Sequence, residues 1–127
     1  MTIAQICVVI AALLPFLFTG IAKFSRGGEA RFDNARVRDF QERLEGRRKR
    51  AHWAHLNSFE AFAPFAAAVI IATQRGADPA WLDGFAVAFI VFRLLYGWFY
   101  LNDWATIRSL AWVAALGCTL TIFFLNP

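Results

Sequence analysis

Charge is scarce in this chain of 127 residues: Asp, Glu, Lys and Arg make up 17% of it, against roughly 25% in an ordinary soluble domain. No lysine or arginine precedes Lys23, and after Arg50 only Arg75, Arg93 and Arg108 remain. Cysteine is limited to Cys7 and Cys118, each inside an apolar run, with no C-x-x-C pair. That excludes a disulfide framework and a cysteine-based zinc site, and both are expected to pack as small hydrophobes. The only histidines, His52 and His55, lack the H-E-x-x-H spacing of a helical zinc site and have no convincing third ligand. They are expected to be hydrogen-bonded within a bundle or interface, and no metal is expected. Ser25, Ser58 and Ser109 carry no nucleophile signature.

Nucleic acid is also excluded, despite a net charge of +4. Ten of the thirteen basic residues lie between Lys23 and Arg50, interleaved with Glu29, Asp33, Asp39, Glu42 and Glu45. Such mixing makes a poor phosphate-tracking surface, and no nucleic-acid motif accompanies it. It suits a solvated loop beside anionic lipid headgroups.

What the chain has in excess is apolar side chains, 59% of residues with a mean hydropathy of +0.49, gathered into blocks. A span needs about 20 apolar residues, and four segments qualify, at about 1–22, 47–74, 80–100 and 104–124. The first, rich in Ile, Val, Leu and Phe, is expected to be a retained helix, because a signal peptide would carry a basic leader and a shorter apolar run; Pro15 is a potential kink. Residues 23–46 form the one long polar stretch, predicted to be a loop with a short surface helix. Asp78 and Pro79 read as cap and first residue of the third span. Alanines from Ala61 to Ala72 allow close helix approach. Trp81, Trp98 and Trp104 lie near segment ends, as in an interfacial aromatic belt. The fold class is therefore all-α, an integral membrane four-helix bundle in a single domain over 1–127. The ten bases from Lys23 to Arg50, in and just after loop 23–46, are expected to place that loop in the cytoplasm and both termini outside.

Two polar groups fall inside the second span, Asn57 and Glu60, three residues apart and so on one helical face. Intramembrane ionisable residues are functional-site candidates. Arg50, Trp53, Asn57, Glu60 and Pro64 form one stripe; Arg93, Tyr96 and Tyr100 form another on the third span. The short turn between these spans predicts antiparallel neighbours with Glu60 and Arg93 at comparable depth, at about 1.5 Å per residue, and hence a buried Glu60–Arg93 ion pair. Its role is open between structural and catalytic. Arg108, starting the fourth span beside Tyr100, has two readings: a snorkelling interfacial arginine, or a cation that stabilises a bound thiolate.

The run Arg50-Ala51, Ala54-His55-Leu56-Asn57-Ser58-Phe59-Glu60 and Pro64-Phe65, with Arg93, Tyr96 and Tyr100 and then Arg108, resembles the MAPEG superfamily of membrane-associated proteins in eicosanoid and glutathione metabolism. Asp33-Asn34 and Arg38 resemble its bacterial branch, which implies an inner-membrane location. The resemblance covers essentially the whole chain and implies a homotrimer that uses glutathione as co-substrate. It implies Arg50, Asn57, Glu60, Arg93 and Tyr96 as glutathione contacts and Arg108 with Tyr100 as the catalytic pair. A glutathione-dependent transferase or peroxidase acting on lipophilic electrophiles is the expectation. The alternatives are a non-catalytic scaffold or accessory subunit, and a binder of lipid or another anionic thiol. Two positions depart from relatives: Trp53 replaces an arginine that binds a glutathione carboxylate, and Ala61 replaces a tyrosine.

Overall fold

A computed structural model of the chain describes residues 1–127 and contains five helices: α1 (Ile3–Phe24), α2 (Val37–Glu42), α3 (Gly46–Gln74), α4 (Pro79–Leu101) and α5 (Ala105–Phe124). All but α2 are long and apolar enough to cross a membrane, so the protein is an integral membrane four-helix bundle. The α1–α3 connection, with α2, marks the loop end of the bundle, and the α3–α4 connection marks the turn end.

The helix ends follow local chemistry. Thr2 and Gln5 form a reciprocal capping box at the start of α1. Asp78 caps α4 as the sequence predicts, its Oδ1 accepting from the Ala80 amide at 2.8 Å with Pro79 at the first turn. Helix α3 stops at Gly76, whose φ of +73° suits a residue without a Cβ; the Ala77 amide then returns to the Ala72 carbonyl at 3.0 Å, a Schellman closure. Helix α4 ends in the same way at Asp103, φ +60°, with the Trp104 amide on the Phe99 carbonyl. These closures keep both connections short.

The packing order differs from the simplest expectation. Helices α3 and α4 do touch, but the most extensive contacts are α1 with α3 and α4 with α5, while α1 also meets α4 and α3 meets α5. Sequence proximity does not dictate contact area here, because every span has apolar residues on several faces and can pack more than one way. Phe18 of α1 is buried against Gly97 of α4, where even a Cβ would clash with the Phe18 ring. Cys7 and Cys118 are free and sit in the main core with Phe65, Phe89 and Ile122. The rings of Phe65 and Phe89 stack at 3.8 Å between centroids. Asp83 of α4 accepts from the Ala4 amide at 2.8 Å, giving the start of α1 a second cap from across the bundle.

At the loop end Arg48 is almost fully buried and ties four carbonyls together: Ala22 at 2.9 Å, Lys23 at 3.2 Å, Gly27 at 2.9 Å and Ala30 at 2.6 Å. Its guanidinium also lies 5.3 Å from the Phe40 ring centroid of α2. One side chain thus closes the end of α1, orders the loop and holds α2 over α3. Trp81, Trp98 and Trp104 are exposed near helix ends, where an aromatic belt would put them.

Candidate functional site

The polar residues of the second and third spans meet in one connected chain. Arg93 of α4, only 1% exposed, donates from Nη1 to Asn57 Oδ1 at 3.0 Å and from Nη2 to Ser58 Oγ at 3.3 Å. Ser58 in turn donates to the Ala54 carbonyl at 2.8 Å, one turn back along α3. Asn57 uses its other half to donate from Nδ2 to Glu60 Oε2 at 2.9 Å. Asn57 is therefore the central member, accepting from a cation and donating to a carboxylate.

This corrects the expected Glu60–Arg93 ion pair. The two groups share a depth, but Asn57 stands between them, and Glu60 is exposed at the bundle surface rather than buried. Helical rise fixes depth and says nothing of which partner lies nearer: Asn57 takes the Arg93 donor, and Glu60, three residues on, is left exposed. Ser58 is the residue that sequence reasoning missed. Its only signal is position, next to Asn57 and on the same inward side as Ala54.

From Arg93 the chain continues toward the loop end through aromatic rings. The Arg93 guanidinium lies 4.3 Å from the centroid of Tyr96, which meets Tyr100 edge to face at 5.5 Å. Tyr100 carries the guanidinium of Arg108 at 4.4 Å on its ring, so α5 joins the site here. Cation–π contacts of this kind are worth about 0.5–2 kcal/mol depending on desolvation, and this one ties Arg108 of α5 to Tyr100 of α4. Trp53 of α3 lies 6.3 Å from Tyr100, its indole half exposed. Arg50 is not part of this chain: its Nη2 donates to the Leu101 carbonyl at 3.3 Å, closing the end of α4, and its buried Nε has no partner. His52 and His55 stack at 5.9 Å, and the His55 Nδ1 lies 2.8 Å from the Pro15 carbonyl of α1.

Two hollows flank the Asn57–Glu60 pair. Toward the loop end an open groove of about 360 Å³ is lined by Trp53, Leu56, Asn57, Glu60 and Tyr100. Deeper in the bundle a narrower cleft of about 140 Å³ lies among α3, α4 and α5, with Arg93, Asn57 and Glu60 at its polar pole. A line of polar groups reaching from mid-membrane to an interfacial arginine can hold an elongated polar molecule at the loop end while its partner enters from lipid.

A model of the MAPEG family matches residues 3–126. The chain belongs to the MAPEG family. No curated protein and no solved structure matches it. For a MAPEG protein, the residues of the recognised pattern are brought together in space here, apart from Arg50, which closes α4 instead.

Proposed function

We propose that this MAPEG protein is a glutathione-dependent transferase or peroxidase acting on lipophilic electrophiles, with glutathione in the groove at the loop end. The observation that carries the reading is the Arg108 guanidinium held 4.4 Å over Tyr100, which lines that groove, with no carboxylate partner. A fixed cation favours the thiolate over the thiol, and the thiolate is the nucleophile. In transfer, its sulfur forms a C–S bond to the electrophilic carbon while the leaving group departs with the electron pair of its own bond. Asn57 and Glu60 present an acceptor and a carboxylate at the groove for amide and ammonium groups, and Arg93 with Tyr96 holds Asn57 in place.

We read the protein as a homotrimer, and the same surface supports association between copies. The Glu60 carboxylate is exposed near the middle of a membrane-spanning helix, with Asn57 as its one partner. An acid facing hydrocarbon is costly, and a second copy would cover it. The ten basic residues from Lys23 to Arg50, in the loop and the start of α3, support placing the loop end in the cytoplasm of a bacterial inner membrane.

One observation favours the alternative of a non-catalytic scaffold. Trp53 packs beside Tyr100, and Arg50 is engaged by Leu101, so neither offers a carboxylate-binding cation at that point. Glutathione titration of the purified protein, followed by thiolate absorbance in wild type, Arg108→Lys and Arg108→Ala, separates the two. The enzyme reading expects a thiolate signal in wild type, reduced in the lysine variant and lost in the alanine variant. No binding at millimolar glutathione would leave the scaffold.

A further inference from the structure

Arg48 is only 6% exposed, and its four hydrogen-bond partners are all neutral carbonyls, so none of them brings a negative charge. A buried charge is costly unless an opposite charge comes near it. Arg48 forms part of the wall of an open hollow of about 620 Å³ between the end of α1 and the loop, together with Lys23, Glu29, Arg31 and Phe32. Three cations and one carboxylate line it, so positive charge is in excess. The backbone amides of residues 26–32 find no carbonyl partner in the protein. Free amides on a turn such as Gly27-Gly28, both at positive φ, suit an anion.

What adjoins the hollow restricts the anion. Phe32 carries the Lys23 ammonium 4.7 Å from its ring centroid and meets Phe24 edge to face at 5.7 Å. Phe24 is 76% exposed and ends an apolar stripe on α1 with Ile6, Ile10, Leu13 and Leu17, all exposed and spaced by three, four or seven residues. No polar side chain interrupts this stripe, whereas the outer face of α3 carries Glu60. An unbroken apolar face suits acyl chains, and a charged hollow at the end of a spanning helix lies at headgroup level. The excess of positive charge favours a net-negative headgroup. Glu29, an acceptor only, favours one that also carries a hydroxyl donor.

We propose that this hollow is the headgroup site of a bound anionic phospholipid of the phosphoglycerol class. The phosphate accepts from Lys23, Arg31 and the loop amides, close to the buried charge of Arg48. The headgroup hydroxyls donate to Glu29, and an acyl chain runs along the α1 stripe. The site uses no residue of the glutathione groove and is independent of that reading.

The test is native mass spectrometry of the full-length protein, released from micelles that hold equal amounts of phosphatidylglycerol and phosphatidylethanolamine with the same acyl chains. Each basic residue at a membrane surface is worth about fivefold in affinity for anionic lipid, so the wild type is expected to retain phosphatidylglycerol about tenfold over the zwitterionic lipid. Lys23→Gln with Arg31→Gln should bring the two lipids to near parity. Arg36→Gln with Arg38→Gln removes the same charge from exposed positions outside the hollow and should keep the preference. Equal retention of the two lipids by the wild type would overturn the proposal. So would no retained lipid, the outcome if a second copy covers the α1 stripe, and so would equal loss of preference in both double variants, which would reduce the effect to general loop charge. Glycerol 3-phosphate at millimolar concentration separates a lipid site from a phosphate site. It should leave the lipid bound, and displacement would make a free phosphate ester the ligand and overturn the lipid assignment.

Discussion

Two arginines are buried in this membrane bundle, and the contrast between them separates a fastening from a site. Arg48 spends its donors on four backbone carbonyls and stacks over Phe40. Arg93, the more deeply buried, meets two side-chain oxygens and the Tyr96 ring, and faces a cleft. Arg48 serves groups that would otherwise be orphaned, the carbonyls at the end of α1 and in the loop. Arg93 serves an asparagine and a serine that already have partners elsewhere. Burial alone would rank the two together. Donor satisfaction tells them apart.

The comparison breaks most visibly at Arg48. Replacing it with Met strips four carbonyls of a charged donor; those nearest water regain hydration, so the expected loss is about 3 kcal/mol rather than the full sum of charge-assisted bonds. Unfolding by SDS titration in mixed micelles should show that loss, and protease should cut the 25–36 segment faster. A protected loop in that variant would mean Arg48 is dispensable. Asn57→Leu comes next, at about 2 kcal/mol, because Arg93 is left buried with one acceptor fewer. In an Arg93→Met background the same change should cost far less, and this double-mutant cycle measures the coupling directly. Additive costs would mean that the two do not act as a pair. Glu60→Gln should be the mildest, within about 0.5 kcal/mol for the folded subunit, since the side chain is exposed and keeps an acceptor for Asn57. A shift of the oligomer toward monomer on size exclusion, with subunit stability intact, is expected if a second copy covers Glu60, and an unchanged oligomer would take Glu60 out of the subunit interface.

The bundle itself was legible in the sequence because bilayer physics leaves large marks: four apolar runs, short connections with Asp78 and Pro79 as punctuation, and tryptophans near the ends. The membership of the polar stripe on α3 and the Arg93–Tyr96–Tyr100 stripe on α4 was legible from helical spacing. What was not legible depends on azimuth and on distant partners. Depth arithmetic aligned Glu60 with Arg93 but could not show Asn57 between them. Arg48 looked like one base in a run of four, since its carbonyl partners lie 18 to 26 residues away in a loop without a pattern. Arg50 was grouped with the site by its stripe, yet the end of α4 comes within reach first and takes its donor. Asp83 capping Ala4 spans 79 residues of sequence with no local trace.

The most direct test of this distinction is the stability of Arg93→Met beside that of Arg48→Met, measured by SDS unfolding in the same mixed micelles. Exchanging a buried, under-satisfied cation for an apolar side chain of similar length is often neutral or stabilising. The expected result is an Arg93→Met protein within about 1 kcal/mol of wild type or above it, while Arg48→Met is clearly destabilised. An Arg93→Met protein that unfolds as readily as Arg48→Met would contradict the account and make Arg93 a second fastening.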